Sequence, residues 1–394
     1  MTDPVNIVAM ADEAARALRA GDARTAIGLY ETLTGHQPEN AAHWLNLARA
    51  LARQGDRDAE LVALDRALAI EPRLLAALLF KAVNLDGRGD THAAGDMYQA
   101  ALSVAPPIDR IPPELRALVG RAQAALGRLQ VAREAFFRDH LADAYREFAG
   151  AKTGRFAQAV EVLLGRKSIY RQQPHNFYFP GLPETQFYDR DDFDWLGPLE
   201  ASTDLIRAEF EAVWRDDHGF SPYVDHPPGA PVDQWAELNH SPRWSAFHIL
   251  RNGARVAGNA ERCPDTLAAL QPTPAPSLVN RSPNAMFSLL QPRTRIPAHT
   301  GETNTRLVVH IPLIVPGQTG FRVGNETRPW RIGEAFVFND TIEHEAWNDG
   351  DQIRVVLIFD IWHPNLTPEE RELIARLMVL RDEFRGRPEP GQDL

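Results

Sequence analysis

The chain of 394 residues has a single cysteine, Cys263, and no run of 18 consecutive apolar residues. One cysteine forms no intramolecular disulfide and excludes a zinc site built from several cysteines. The 53 acidic residues outnumber the 42 Lys and Arg residues, and a formal charge of −11 argues against nucleic acid or an anionic membrane as the main partner. The first 20 residues contain no basic segment followed by an apolar one. We therefore expect a cytoplasmic protein with no secretion signal, membrane span or nucleic-acid partner.

Phosphate-binding loops are also missing, since neither G-x-x-x-x-G-K nor G-x-G-x-x-G follows a predicted strand. The acidic run 189–194 lacks the glycine and the terminal glutamate of a calcium loop, so a solvated surface is the simpler interpretation. What the chain does have is 44% hydrophobic and 24% charged residues, a composition typical of globular domains. Its length predicts at least two of them.

The first third of the chain repeats with a period of 34 residues. The landmarks on this period are Gly21-Asp22, Gly55-Asp56 and Gly89-Asp90, together with Pro38, Pro72 and Pro106. Apolar residues between the landmarks follow the three-and-four spacing of a helix. Each unit therefore predicts a helix pair, with Gly-Asp at the turn and proline ending the second helix. Gly127 lies 38 residues after Gly89, so a fourth unit is out of phase and residues 122–148 are predicted to form a capping or connecting helix.

This repeat resembles the tetratricopeptide repeat, whose small and large residues recur here at Trp44, Leu47, Ala48, Ala67 and Pro72. The resemblance implies a helical solenoid with a concave groove that holds an extended peptide or a partner helix. A second interpretation, that the array only rigidifies or dimerises the protein, stays open.

The sequence pattern of the chain changes near residue 170. An aromatic run closed by Pro180-Gly181 is followed by a predicted helix over 199–214 and a proline-rich region over 222–276 that argues against long helices. Short β-branched runs then predict strands at 286–290, 306–315, 320–323, 335–338 and 353–361. No helical crossover fits between them, which indicates a sandwich or jelly roll. Thr367 and Pro368 predict the start of a final helix.

Three polar residues stand on or beside these strands: His299, His344 and Arg354. In a double-stranded β-helix, histidines on opposite strands can meet at one metal, and an arginine can hold a distal carboxylate. The usual third ligand, a carboxylate two residues after the first histidine, is replaced by Gly301. From spacing alone, a metal site and a structural pair of histidines remain equal alternatives.

Several ordered motifs resemble the aspartyl/asparaginyl β-hydroxylase family. They lie at 178–182, 299–304, 306–310, 324–327, 338–340, 343–347 and 360–364. The resemblance covers roughly residues 170 to 385, and the glycine at 301 is the family's own pattern. It implies a 2-oxoglutarate-dependent oxygenase with Fe(II) bound by two histidines. We predict a tetratricopeptide solenoid at 5–150, a connecting helix at 151–169, and a double-stranded β-helix (jelly-roll) oxygenase domain at 170–394.

The resemblance also assigns roles to single residues. His299 and His344 are implied to ligate Fe(II), and Ser288 and Arg354 to hold the distal carboxylate of 2-oxoglutarate. His310 is implied near the other carboxylate, and Arg306 at the acid group of the substrate. Asp340 is either a residue that orients water near the metal or a solvated turn residue.

Two positions depart from the animal members of the family. Val308 and Met286 stand where basic residues are usual, which puts an anionic substrate in doubt. The favoured function is hydroxylation of an aspartyl or asparaginyl β-carbon in a peptide or protein. A peptide-binding scaffold with an inactive oxygenase domain and a lipid-acyl hydroxylase are the alternatives. Trp235, Trp244, His240 and His248 are predicted either to line a substrate cleft or simply to pack.

Overall fold

A computed structural model describes residues 6–216 and 219–386. The chain divides into two compact units, Met1–Arg166 and Lys167–Leu394. The segment predicted to connect the domains, 151–169, is therefore split between them. In the described ranges, no helix is long and apolar enough to cross a bilayer.

Within its described residues the first unit is entirely helical. Its α-helices are α1 (Ile7–Ala20), α2 (Ala23–His36), α3 (Ala41–Gln54), α4 (Arg57–Ile70), α5 (Leu75–Gly87), α6 (Thr91–Val104), α7 (Pro113–Glu147) and α8 (Gly154–Leu163). The first six form three antiparallel pairs, as the period of 34 predicts. The out-of-phase unit is a single long helix, α7, which begins nine residues earlier than the predicted 122–148.

The Gly-Asp landmarks make the turn within each pair for two separate reasons. Gly21, Gly55 and Gly89 adopt φ angles of 84°, 88° and 84°, the left-handed conformation that favours glycine. The aspartate that follows each glycine is the N-cap of the next helix, and its carboxylate accepts a hydrogen bond from a backbone N–H three residues later. Two adjacent residues thus end one helix and begin the next.

The second unit carries helices at both ends and strands between them. Its helices are α9 (Leu196–Ala201), α10 (Thr203–Arg215), α11 (Pro264–Leu270) and α12 (Pro368–Arg385). Its strands are β1 (Ser221–Pro222), β2 (Trp244–Arg251), β3 (Ala254–Arg255), β4 (Ala285–Leu290), β5 (Thr294–His299), β6 (Arg306–Ile314), β7 (Thr319–Val323), β8 (Glu326–Arg328), β9 (Phe336–Phe338), β10 (His344–Asn348) and β11 (Arg354–Trp362). The five predicted strands correspond to β4, β6, β7, β9 and β11. The region predicted to be loop-rich also contains β2, an eight-residue strand, which the prolines around it concealed.

The strands of the described residues form two antiparallel sheets. The larger sheet has the order β1-β2-β4-β11-β6-β9, with β3 paired to β2, and the smaller has the order β5-β10-β7-β8. One apolar cluster, which includes Phe321, Ile296 and Ile358, fills the space between the sheets. A second cluster, which includes Phe210 and Phe287, packs α10 on the opposite face of the larger sheet. Because both faces of the larger sheet are covered, its central strands are buried on both sides.

Candidate functional site

The two predicted histidine ligands meet on the smaller sheet. His299 ends β5, His344 begins β10, and the two residues are directly opposite each other in the antiparallel register. Their ring centroids lie 4.1 Å apart. They are 45 residues apart in sequence, and the pairing of these two strands brings them together.

A backbone carbonyl fixes the same tautomer in both imidazoles. Nδ1 of His299 lies 2.7 Å from the carbonyl oxygen of Pro297, and Nδ1 of His344 lies 3.1 Å from that of Ile342. A carbonyl only accepts, so each Nδ1 carries the proton and each Nε2 keeps its lone pair. Burial lowers the pKa of His299 to about 4 and the pKa of His344 well below its usual range. Two neutral imidazoles whose Nε2 lone pairs are available could ligate Fe(II) or a similar divalent metal.

Gly301 and Asp340 explain why this site has no carboxylate two residues after the first histidine. A Cβ atom at position 301 would overlap the carboxylate of Asp340, which is 3% exposed. The backbone N–H of Gly301 also donates to the carbonyl of Asp340 at 2.7 Å. Burial raises the pKa of the Asp340 carboxyl to about 7. Among the described residues, no group of three or more His, Cys, Asp or Glu side chains is arranged to hold a metal ion. The candidate site therefore offers two histidines and no third ligand of these types among the described residues.

Alanine at position 301 is expected to lower the free energy of unfolding by about 1–3 kcal/mol, because the new methyl group must displace a buried carboxylate. Gly317→Ala is the matched control, since nothing lies near a Cβ atom at that position. Urea denaturation of both variants measures the difference. Equal stabilities would contradict the close contact between Gly301 and Asp340.

The larger sheet contributes a group of polar residues to the same cavity. The cavity is lined by Trp244, Ser288, Ile296, His299, Val308, His310, Phe321, Phe338, Asp340, His344, Ala346, Arg354 and Ile358. Ser288 lies on β4, His310 on β6 and Arg354 on β11, so three strands of one sheet face the two histidines of the other. All the residues predicted to bind the metal or 2-oxoglutarate thus line one cavity.

Arg354 is the most unusual residue of this group. It is 1% exposed, yet its Nε and Nη1 atoms have no hydrogen-bond partner among the described residues. Burial lowers its pKa to about 9. A buried guanidinium without a counter-charge is costly, and an anion entering the cavity would remove that cost. Nδ1 of His310 is likewise unpartnered within the described residues. These polar groups fit the carboxylate groups of a dicarboxylic acid such as 2-oxoglutarate.

Trp330 supports this group, and the sequence motifs did not reveal its place in it. Its indole stacks on the His310 ring at 5.5 Å with an interplanar angle of 17°, and the Arg354 guanidinium carbon lies 5.5 Å from its ring centroid. Such contacts fix the orientation of both polar side chains. Trp330 follows the short strand β8 and belongs to no periodic pattern of apolar residues, so the sequence contained no indication of its role.

Arg306 does not line the cavity, in contrast to its implied role at the acid group of a substrate. It is 2% exposed, and its guanidinium donates to Asp360 at 3.1 Å, to Glu302 at 3.2 Å and to Ser282 at 3.0 Å. Burial opposes the positive charge, but these carboxylates raise the pKa of Arg306 above its ordinary value. Asp360 is equally buried, so the structure supports a buried ion network at this end of β6 and β11.

Arg306→Met is expected to lower the free energy of unfolding by about 3–5 kcal/mol, because Glu302 and Asp360 would remain as buried charges without their partner. The control is Arg295→Met, which removes an exposed ion pair with Asp349 and should cost under about 1 kcal/mol. Chemical denaturation measures both. A stable Arg306→Met protein that loses only substrate-dependent turnover would restore the substrate role.

Two tryptophans flank the His299 ring. Trp235 contacts it edge to face, with ring centroids 5.1 Å apart, and Trp244 lies 6.5 Å from it. The Nε1 atom of Trp244 donates to Ser288 Oγ at 3.1 Å. His240 instead pairs with Asp225 in an exposed position, and His248 does not line the cavity. Only the tryptophans of the predicted aromatic and histidine cluster therefore adjoin the site.

Comparison with known families finds one matching family model in each unit. The model of the aspartyl/asparaginyl β-hydroxylase family matches residues 200–364, which include every residue of the cavity. Residues 200–364 are an aspartyl/asparaginyl β-hydroxylase domain. The tetratricopeptide repeat model matches residues 12–73, so the first unit carries tetratricopeptide repeats.

Relatives of the hydroxylase domain differ in their named activities. The chain is similar to the aspartyl/asparaginyl β-hydroxylase of Homo sapiens, with 31% identity over 46% of this chain and 24% of that protein. It is 33% identical to the ornithine lipid ester-linked acyl 2-hydroxylase of Rhizobium tropici, over 49% of this chain and 66% of that one. Aspartate β-hydroxylase domain-containing protein 2 of Homo sapiens is 32% identical over 54% and 56% of the two chains. The matches thus span between 24% and 66% of the length of these relatives.

Proposed function

We propose that the protein is an Fe(II)- and 2-oxoglutarate-dependent dioxygenase that hydroxylates a C–H bond in a peptide or protein. The observation that carries this proposal is the buried guanidinium of Arg354, whose Nε and Nη1 atoms have no partner among the described residues and which lines the same cavity as two neutral histidines. The strand orders β4-β11-β6-β9 and β5-β10-β7-β8 support a double-stranded β-helix, the fold implied by the family resemblance.

Each residue of the cavity has a separate task in this proposal. His299 and His344 would hold the metal through Nε2, while Arg354 and Ser288 would bind the distal carboxylate of 2-oxoglutarate and His310 would lie near its other end. When bound, Fe(II) and 2-oxoglutarate supply the oxidising chemistry, in which O2 converts 2-oxoglutarate to succinate and CO2 and oxygen enters the C–H bond. The apolar walls exclude water from the reacting carbon.

The charges of the cavity favour an uncharged substrate group. Among the lining residues the one Lys or Arg side chain is Arg354, and the cosubstrate would neutralise it. Val308 is 2% exposed and Met286 is 2% exposed within the apolar cluster between the sheets. Asp340 adds a carboxyl group to the wall. An asparaginyl carboxamide therefore fits better than an aspartyl carboxylate, which would enter without a cation.

Matched peptides that differ only by Asn or Asp at the target position are expected to differ at least about tenfold in turnover, in favour of Asn. Mass spectrometry detects the gain of one oxygen, and succinate release gives the rate. Preferred hydroxylation of the aspartyl peptide would contradict the charge argument.

A lipid-acyl hydroxylase is a second candidate, because Ile296, Val308, Phe321 and Ile358 give the cavity an apolar wall. Fatty-acyl and peptide substrates offered in parallel, with 2-oxoglutarate consumption measured for each, separate the two candidates. The tetratricopeptide unit favours a polypeptide, since such arrays present extended binding surfaces.

The site itself is testable without a substrate. Metal-free protein mixed with Fe(II) and 2-oxoglutarate in the absence of O2 is expected to develop the visible charge-transfer band of a chelated 2-oxo acid. A folded protein that binds Fe(II) but shows no band would favour a peptide-binding scaffold with an inactive oxygenase domain.

A further inference from the structure

The last helix, α12, presents an apolar stripe to solvent. Leu373, Leu377, Leu380 and Phe384 are 63%, 45%, 60% and 93% exposed. Their spacing of four, three and four residues places them on one side of the helix, as in the seam of a coiled coil. Single exposed leucines are ordinary, but four in a continuous row are a surface of the kind that binds a partner.

The opposite side of α12 fixes this stripe in place. Ile374 and Met378 are 3% and 5% exposed, with Ile374 in a cluster that includes Trp362 and Leu366. Asp382 accepts two hydrogen bonds from the Arg281 guanidinium, at 2.6 and 2.9 Å. A capping box at Thr367 and a left-handed Gly386 define the two ends of the helix. The stripe is therefore carried by a rigid helix that is anchored to the domain.

The charges beside the stripe distinguish between possible partners. The helix carries five acidic residues and four arginines, which disfavours an anionic lipid surface. Along one flank of the stripe lie Arg376 and, two turns later, Glu383. When two copies of α12 pack antiparallel about a two-fold axis between positions 378 and 379, Arg376 of each copy comes beside Glu383 of the other. A parallel arrangement would instead bring Arg376 beside Arg381.

We propose that α12 is a self-association surface, on which two copies of the chain dimerise through antiparallel α12 helices. Leu377 and Leu380 lie at the centre of the interface, where each packs on the other residue of the second copy, and Leu373 packs on Phe384. The arrangement is isologous, so it closes as a dimer and does not extend into a filament. It does not depend on the activity of the hydroxylase domain.

Sedimentation velocity of the full chain, from micromolar to about 100 μM, tests this directly. The wild type is expected to sediment as a dimer, and Leu377→Glu/Leu380→Glu as a monomer with an unchanged circular dichroism spectrum. The control is Leu205→Glu/Ile332→Glu, which alters two other exposed apolar residues of the same unit and should leave the dimer intact. A monomeric wild type, or a dimer that survives the α12 substitutions, would overturn the proposal.

Charge reversal tests the antiparallel pairing. Arg376→Glu should weaken the dimer at least tenfold, because it places two glutamates together, and adding Glu383→Arg should restore it. A dimer strengthened by Arg376→Glu alone would indicate a parallel arrangement. Co-sedimentation with vesicles of three parts phosphatidylcholine to one part phosphatidylglycerol, lost in the Leu377→Glu/Leu380→Glu protein, would identify a lipid surface and reject self-association.

Discussion

Replacing His344 with alanine is expected to abolish the Fe(II)–2-oxoglutarate charge-transfer band and all succinate formation. The expected loss of metal affinity exceeds about 100-fold, because removing only a supporting contact of a metal ligand already costs about 10- to 100-fold. With one imidazole gone, only His299 remains of the two proposed ligands, and the described residues contain no group of three or more His, Cys, Asp or Glu side chains that could bind the metal elsewhere.

Two measurements separate this effect from misfolding. His36→Ala, at an exposed position of the first unit, should bind Fe(II) as the wild type does. The His344→Ala protein should keep its thermal unfolding transition, since the apolar cluster between the sheets is unchanged. Wild-type metal binding by His344→Ala would reject the proposed site.

Arg354→Met is expected to weaken 2-oxoglutarate binding by about 10- to 100-fold, because a buried charge-assisted hydrogen bond contributes about 1.5–3 kcal/mol. Titration of the charge-transfer band measures this without turnover. Arg354→Lys should recover only part of the affinity, since an ammonium cannot present the two parallel donors of a guanidinium.

The Arg354 variant also has an effect on stability that distinguishes it from an ordinary ion-pair variant. Without 2-oxoglutarate, Arg354→Met should be as stable as the wild type or more stable, because it removes a buried charge whose Nε and Nη1 atoms have no hydrogen-bond partner among the described residues. Adding 2-oxoglutarate with metal at one fixed concentration should then raise the melting temperature of the wild type more than that of the variant. A large loss of stability in the ligand-free variant would show that Arg354 is structural.

Much of this fold could be predicted from local pattern. The period of 34 located three helix pairs because each Gly-Asp turn is a local feature that needs no distant partner. The buried strands β4, β6 and β11 were recognisable as short runs of apolar residues, which include several β-branched residues in β6 and β11. Thr367 and Pro368 marked the start of α12 correctly, since a capping box is set within four residues.

Features that depend on contacts between residues far apart in sequence were harder to predict. The prolines at 242 and beyond concealed β2, whose place in the sheet comes from pairing with β4. Arg306 shares its strand with Val308 and His310, so alternation predicts that it faces the cavity; the buried carboxylates of Glu302 and Asp360 hold its guanidinium away from that role. The closeness of Asp340 to Gly301 depends on two loops that lie about 40 residues apart in sequence.

The proposed metal ligands and the proposed 2-oxoglutarate-binding residues belong to different sheets, so the distance between the two sets depends on how the sheets pack. His299 and His344 lie on the smaller sheet, while Ser288, His310 and Arg354 lie on the larger. Phe321 and Phe338 contact each other between the sheets, with their ring centroids 4.7 Å apart. Such side chains act as spacers between the two sets. Replacing such a spacer with a smaller side chain would therefore change the distance between the metal ligands and the 2-oxoglutarate-binding residues without altering either set. It would thereby change which carbon atom of a bound substrate lies close to the metal.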